Sequence, residues 1–538
     1  MILSALVLLG LGGDVLDGSK AIEEKSIAED VAFLARVEME GRDSPSAGQR
    51  RAADYISARF RSFGLLPCED ADEVLARFGE KVADRDDPVP GATTASEVSY
   101  LRPFERGLEA PVVEDCRFTF GGGGAGDESF ANYGIDWVPV RGCAGRFKGE
   151  LVFAGFGIRS KSNRYDDIGG RDLEGRVALI VEGEPRHKRK FDGPELTDSA
   201  LLWSKLSLLQ DEGVEGVVVV RRQPALPKGK REAFEPLAFG YRYSNASFVG
   251  EAPLRPPRRR PPVVEVTPEF AEKLIGFDVA GWAEAVDKSG TAKKVSHEAC
   301  VVDVKSTLRL QQVRVDNVVG VFPGSDPTLA EEYVVVGAHY DHIGVGVGGR
   351  VGPGADDNAS GTAGLLALVE ALSISRPGRS VLICAFSAEE AGLLGSKALC
   401  ADPPVVLSSI VAMLNMDMIG RGSASEVAVL GTALNPDLAK VLSRGQKLGK
   451  TGVKKLVTDG GVELWARSDH YSFHSAGVPA LFFFEGLPIS RNADYHTWRD
   501  VVSLVDAKKI RNTCKLVHQT LCLLANDDSR PQPSQRRH

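Results

Sequence analysis

No CxxC pair occurs in this chain, and its eight cysteines stand apart without zinc-finger spacing. That excludes a thiolate-bound structural zinc module and a dense disulfide framework. Cys384, inside the apolar run 381–386, reads as a buried thiol. A basic excess is also missing: 65 Lys and Arg against 73 Asp and Glu leave a formal net charge of -8. The chain therefore lacks the cationic face with which nucleic-acid binders neutralise phosphates, and no nucleic-acid partner is expected. The locally basic run RPPRRRPP at 255–262 is broken by prolines and reads as a solvated loop. Past the first residues, no segment approaches the roughly eighteen apolar residues needed to cross a bilayer, so no integral membrane segment is expected in the mature chain. Residues 1–13 are apolar like a signal-peptide core, but they lack a basic start and a small-residue cleavage site. They support an expectation of a secreted or periplasmic protein, with 1–20 as a signal or N-terminal segment.

What the chain does have is ordinary globular material. Hydrophobic residues make up 43% and charged residues 26% of 538 residues, enough for two or three lobes with large cores. Apolar residues recur at helical spacing in SIAEDVAFLARV and AADYISARFRSFGLL between 22 and 65, which predicts two amphipathic helices with Gly64 as a stop. The text is irregular and glycine-rich from 88 to 142, with a loop at 121–124. Two short β-rich runs follow in GELVFAGFGIRSKSNRYDDIGGRDLEGRVALIVEGEP, then a helix-like segment and the strand GVEGVVVVRR. With its Tyr-Asp-Asp segment, its Gly-Arg-Val-Ala-Leu strand and a closing PPVVEV at 261–266, this stretch resembles the protease-associated domain, bounded here at 133–296. From Asn317 onward, apolar strands alternate with helices, the pattern of an α/β domain with a doubly wound, mostly parallel sheet flanked by helices.

Four apolar runs in that region end just before acidic or histidine residues: YVVVGAHYDH, RSVLICAFSAEE, SSIVAMLNMDMIG, and PALFFFEG ahead of the DYHTW segment. Ligands of open α/β sheets bind beyond the carboxyl ends of strands, so His339, Glu389, Glu390, Asp417 and His496 can converge there. Imidazoles and carboxylates without competing thiolates suit a hydrolytic zinc site with a place left for water. Asp341, two residues past His339, shares its face if the extended conformation continues, and can accept the imidazole N–H. The GADDNASG loop at 354–361 offers carboxylates to bridge two ions; it also offers the capping residues of the following apolar helix, and the two roles are compatible. Asp417 lies among apolar neighbours, where an unpaired carboxylate is costly to bury. His470 and His474 read as structural.

The sequence resembles the bacterial leucyl aminopeptidase family of two-zinc exopeptidases, whose relatives include glutamate carboxypeptidase II. The resemblance is carried by His339-x-Asp341, the 354–361 loop, Ala388-Glu389-Glu390, Asn415-Met416-Asp417, Ser468-Asp469-His470 and Tyr495-His496-Thr497, in the family order. It implies two Zn2+ ions held by His339, Asp357, Glu390, Asp417 and His496, with Asp357 bridging, Glu389 as general base and a cis peptide after Asp357. The family's tyrosine ahead of the Ser-Asp-His segment is replaced here by Trp465, and Tyr495 is the substitute candidate for stabilising the oxyanion. The implied layout is an N-terminal part of the peptidase domain at 21–132, the inserted domain at 133–296, the zinc peptidase domain at 297–526 and a polar tail at 527–538. The implied substrate is a peptide cut at its amino end. A glutamate carboxypeptidase-like enzyme and a non-catalytic receptor of the same fold are the alternatives. Oligomeric state is not indicated.

Overall fold

The computed structural model of the chain describes residues 17–68, 99–122, 128–140, 143–187, 189–191, 197–200, 202–222, 261–345, 351–461, 464–487, 492 and 494–532. The apolar stretch at 1–13, most of the basic run 255–262 and residues 123 and 124 of the expected glycine loop lie outside the described residues.

The four apolar runs form the strands Tyr333–His339, Ser380–Phe386, Ile410–Met416 and Ala480–Phe484, buried at every position. Continuous apolar text is what a parallel strand covered on both faces requires. All four run parallel, with Tyr333–His339 between Ser380–Phe386 and Ile410–Met416, and Ala480–Phe484 beyond the latter. Their carboxyl ends therefore lie at one edge. The nine-stranded sheet is completed by outer strands: Leu308–Phe322 joins Ser380–Phe386 antiparallel, and Glu426–Leu430 joins Ala480–Phe484 antiparallel. Parallel pairing thus defines the centre, and mixed pairing the flanks.

One face is covered by Gly361–Ile374, Ala507–Ala525 and Glu24–Leu34, which pack on each other and on the strands. Gly361–Ile374 is apolar almost all round and correspondingly buried along nearly its whole length. The opposite face holds a smaller core that includes Leu382, Cys384, Phe386, Met413 and Phe473. The helical periodicity between residues 22 and 65 corresponds to Glu24–Leu34 and Ala47–Ser62. Ser46 caps the second helix by accepting from the Gln49 N–H, and Gly64 leaves it at φ 70°.

A second sheet has eight strands in the order Ser129–Phe130, Arg117–Gly121, Val301–Ser306, Gly145–Phe153, Val177–Val181, Gly216–Val220, Val263–Val266 and Trp137–Pro139. It draws on residues either side of the 133–296 interval. Val301–Ser306 pairs antiparallel with both Arg117–Gly121 and Gly145–Phe153, an association between distant segments that no local turn signal announces. Separate apolar clusters fill its two sides, one around Trp137, Phe153 and Trp282 and one around Ile180, Leu209 and Val219.

Candidate metal centre

The expected ligands gather where the central strands end. His339 is the last residue of its strand, and Asp417 directly follows Met416. Glu389 and Glu390 follow Phe386 after a short turn, and Asp357 comes from the Ala355–Ser360 turn ahead of the buried helix. His496 lies on the loop beyond Phe484. Ala388, Met418 and His496 all hold positive φ, between 53° and 55°. Three non-glycine residues in the left-handed region beside one cluster mark a backbone bent to aim side chains.

The side chains fall into two groups that share Asp357. On one side His339 Nε2 lies 3.4 Å from Asp357 Oδ1 and 3.2 Å from Asp417 Oδ1. On the other, His496 Nε2 lies 3.1 Å from Asp357 Oδ2 and 3.0 Å from Glu390 Oε2. These last contacts lack hydrogen-bond geometry: His496 Nε2 and Asp357 Oδ2 are buried without a hydrogen-bond partner among the described residues. Buried polar atoms are ordinarily paired, so donors and acceptors this close but not aligned on one another aim at a common point between them. Two triads of ligand atoms, His339–Asp357–Asp417 and His342–Asp357–Glu390, are each compact enough to hold one cation. The donor set of imidazole and carboxylate suits a borderline divalent ion.

The loop bearing Asp357 is pinned from several directions. The Asp500 carboxylate accepts from the N–H groups of Asp356 and Asp357, at 3.0 and 2.9 Å. Asn358 Oδ1 accepts from Gly361 N–H, at the start of the buried helix, at 2.9 Å and from Met418 N–H at 3.1 Å, tying the loop to the strand that delivers Asp417. The Asp357–Asn358 peptide is cis. Arg42, fully buried, donates to the carbonyls of Leu34, Tyr340, Pro353 and Gly354, fastening the N-terminal segment to both sides of the site.

Asp341 acts differently from the sequence expectation. His339 Nδ1 lies 3.2 Å from the Asp341 main-chain carbonyl and 3.7 Å from its carboxylate. The carboxylate instead accepts the N–H groups of Glu389 and Glu390, at 3.1 and 3.3 Å. One residue thereby orients the histidine through its backbone and both glutamates through its side chain, because the adjacent turn presents two amides that need acceptors.

Electrostatics separate the two glutamates. Burial, reinforced by Glu390 and Asp417, pushes the Glu389 carboxyl well above its ordinary range despite the opposing pull of His339. For Glu390 burial acts in the same direction but is outweighed by His496 and His342, which hold it well below. The His496 imidazole is pushed up to about 9, its burial outweighed by Glu390 and Asp357. Adjacent acids with opposed protonation preferences are the usual mark of divided roles.

A small cleft opens on His339, Asp357, Glu389 and Asp417, with apolar walls from Met418, Leu464, Phe482 and Phe484 and polar ones from Arg467 and Tyr495. Tyr495 stacks on His496 with ring centroids 3.8 Å apart. Trp465 does not line this cleft: its ring packs against His470 at 4.5 Å and crowds Gly431. His470 is a structural residue, bonded to the Trp465 carbonyl, stacked on Phe482 and kept neutral by burial, which lowers its pKa to about 3.

Two buried residues of the cluster lie outside the sequence reading of the ligands. His342 Nδ1 is 2.9 Å from Glu390 Oε1 and 3.7 Å from Asp357 Oδ2. Its signal was present as the final residue of YVVVGAHYDH, but strand alternation groups residues two apart and passes over it. Asp469, whose pKa burial raises to about 7, faces His339 from the Ser468–His470 segment.

Residues 317–521 match the family model described as Peptidase family M28. A probable leucine aminopeptidase of Arthroderma otae is 33% identical over 199 residues, 36% of this chain and 54% of that protein. Aminopeptidase YwaD of Bacillus subtilis is 25% identical over 308 residues, 55% of this chain and 62% of that protein. The matches thus span between about half and three-fifths of these relatives. Among solved structures, a zinc aminopeptidase from Bacillus subtilis is similar over 93% of this chain and 94% of its own, with a TM-score of 0.57 and 19% identity, a likeness of fold. All the side chains gathered at the strand ends come from the stretch 317–521, the part of the chain that matches the Peptidase family M28 model.

Proposed function

We propose that the chain is a zinc-dependent aminopeptidase that holds two zinc ions and removes residues from the amino end of peptides. The observation that carries this reading is the division of Asp357, whose Oδ1 faces His339 and whose Oδ2 faces His496, beside a cleft that Glu389 lines. The names of the relatives support it. Zinc bound there supplies Lewis acidity, polarising a carbonyl and lowering the pKa of water.

The chain's own groups do the rest. Glu389 Oε1 is buried without a hydrogen-bond partner among the described residues, at the cleft wall. It is placed there to take a proton from the attacking water and pass it to the nitrogen of the departing amine. Asp417 and Glu389 give the cleft floor the negative charge that a substrate's free ammonium group needs. Met418, Leu464, Phe482 and Phe484 favour an apolar first side chain. Tyr495 presents a phenol for the developing oxyanion, supported by Arg467.

Glu389→Gln tests the reading. It is expected to keep two zinc ions per chain and to lose about 10²–10⁴-fold in kcat on leucyl amides; near-normal turnover rejects the assignment. A second reading is favoured by Arg467, whose guanidinium in the cleft wall can receive a carboxylate and so suits a carboxyl-terminal substrate. Amino-blocked peptides decide: the aminopeptidase leaves them intact, the carboxypeptidase cleaves them. The β-rich unit is proposed to shape access to the cleft, and export is proposed on the apolar stretch at 1–13.

A further inference from the structure

His342 is fully buried, three residues past His339, with its ring edge-on to His496 at 5.7 Å between centroids. Its place is fixed from outside. Gly354 holds φ +57°, and a Cβ there would come within 2.4 Å of the His342 ring. The imidazole Nδ1 points into the cluster, 2.9 Å from Glu390 Oε1 and 3.7 Å from Asp357 Oδ2. These are the two carboxylates that His496 Nε2 also faces.

Counting ligand atoms around each side of Asp357 gives unequal results. The His339 side has His339 Nε2, Asp357 Oδ1 and Asp417 Oδ1. The opposite side has the compact group of His342 Nδ1, Asp357 Oδ2 and a Glu390 oxygen, and His496 Nε2 faces the same two carboxylates as a fourth candidate. Four protein ligands close a tetrahedral zinc site, whereas three leave a position for water or substrate. The cleft agrees with that count, since its lining includes His339, Asp357 and Asp417 but none of His342, Glu390 and His496.

We propose that His342 is a ligand in its own right, closing the Glu390–His496 position into a sealed anchor site and leaving the His339–Asp417 position alone open to the reaction. The inference rests on the two-metal reading of the preceding section. Its consequence is an ordered centre: the sealed position fills first and releases last, and the open position exchanges its ion with solvent through the cleft.

One equivalent of cobalt(II) added to the metal-free full-length protein tests this without any assay of activity. Proton NMR is expected to show two paramagnetically shifted, exchangeable imidazole N–H signals, from His342 and His496, and His342→Gln is expected to show one. In parallel, zinc retention during dialysis against graded dipicolinate is expected to separate a tight from a loose ion. His342→Gln should weaken the tight one by about 100-fold or more, since even groups that only support ligands cost 10–100-fold. A single N–H signal in the native protein overturns the proposal. So does a variant with unchanged retention, or one with weakened retention but the native number of signals, which would make His342 only a hydrogen-bond partner of Glu390. A native protein that takes up fewer than two zinc ions would instead defeat the two-metal reading itself. A thermal melt of His342→Gln close to that of the native chain confirms that the comparison is between folded proteins.

Discussion

Both sheets of this molecule send buried parallel strands toward ends crowded with charged residues, but the charges are settled in opposite ways. In the smaller sheet Val177–Val181 runs into Glu182 and Gly216–Val220 into Arg221 and Arg222. There Glu265 and Asp287 each meet an arginine. Arg221 faces Glu265 at 3.7 Å, Arg222 pairs with Asp287 and donates its backbone N–H to Glu182, and Lys205 donates to the Val181 carbonyl at 3.2 Å. At the ends of the larger sheet, Asp357, Glu389, Glu390 and Asp417 each have a histidine within 4 Å among the described residues, and the nearby Arg42 directs its donors at main-chain carbonyls. Burying an uncompensated set of carboxylates is expensive, so this end is built for a cation that the sequence does not encode. Polar residues after an apolar strand are thus no sign of chemistry by themselves; an excess of one sign is.

The comparison breaks most visibly at Asp357. Asp357→Asn removes the shared charge, and zinc content is expected to fall below two per chain, with kcat/KM lower by about 10³-fold or more; retention of both ions in the variant would show that the two groups do not depend on a common bridge. In the other sheet Arg221→Met is expected to strip the buried Glu265 of the guanidinium it faces, costing about 3–5 kcal/mol in denaturant unfolding while the folded fraction keeps its activity. Combining it with Glu265→Leu should recover most of that loss, because an ion pair this deeply buried is replaceable by apolar contact. The smallest effect concerns an ordinary buried histidine. His518, in the helix Ala507–Ala525 with its Nδ1 3.0 Å from Ser19 Oγ, has its pKa lowered to about 4 by burial. The fold prefers the neutral ring, so its contribution is complete above the unfolded value near 6.5 and is lost as pH falls from there toward 4, by up to about 3 kcal/mol. Chemical denaturation of His518→Gln should therefore show a flatter dependence between pH 6.5 and 4 than the native chain.

The strand ends were legible because runs such as SVLICAF and IVAMLNM are too apolar to lie anywhere but inside, and the residue that follows such a run has to emerge at the sheet's edge. His339, Glu389, Glu390 and Asp417 come together by that logic alone. His342 did not, because the chain leaves the extended conformation after His339 and the ring's direction depends on Gly354 and Glu390, neither of which is near it in sequence. The work of the Asp341 carboxylate was missed for a similar reason: backbone amides of a turn after another strand leave no mark in the text. Resemblance, more than periodicity, supplied Asp357 and His496, both of which sit on irregular backbone. In the smaller sheet the Arg117–Gly121 and Val301–Ser306 strands escaped notice because their pairing joins segments separated by the whole of the inserted stretch.

The grip of Arg42 on Tyr340, Pro353 and Gly354, together with the hold of Asp500 on the Asp357 amide, sets a timetable for biosynthesis. A nascent chain emerging from the ribosome carries the first clasp once residue 42 is made and gains the second only at residue 500. The cluster at the strand ends is therefore held in place only after both clasps have been synthesised.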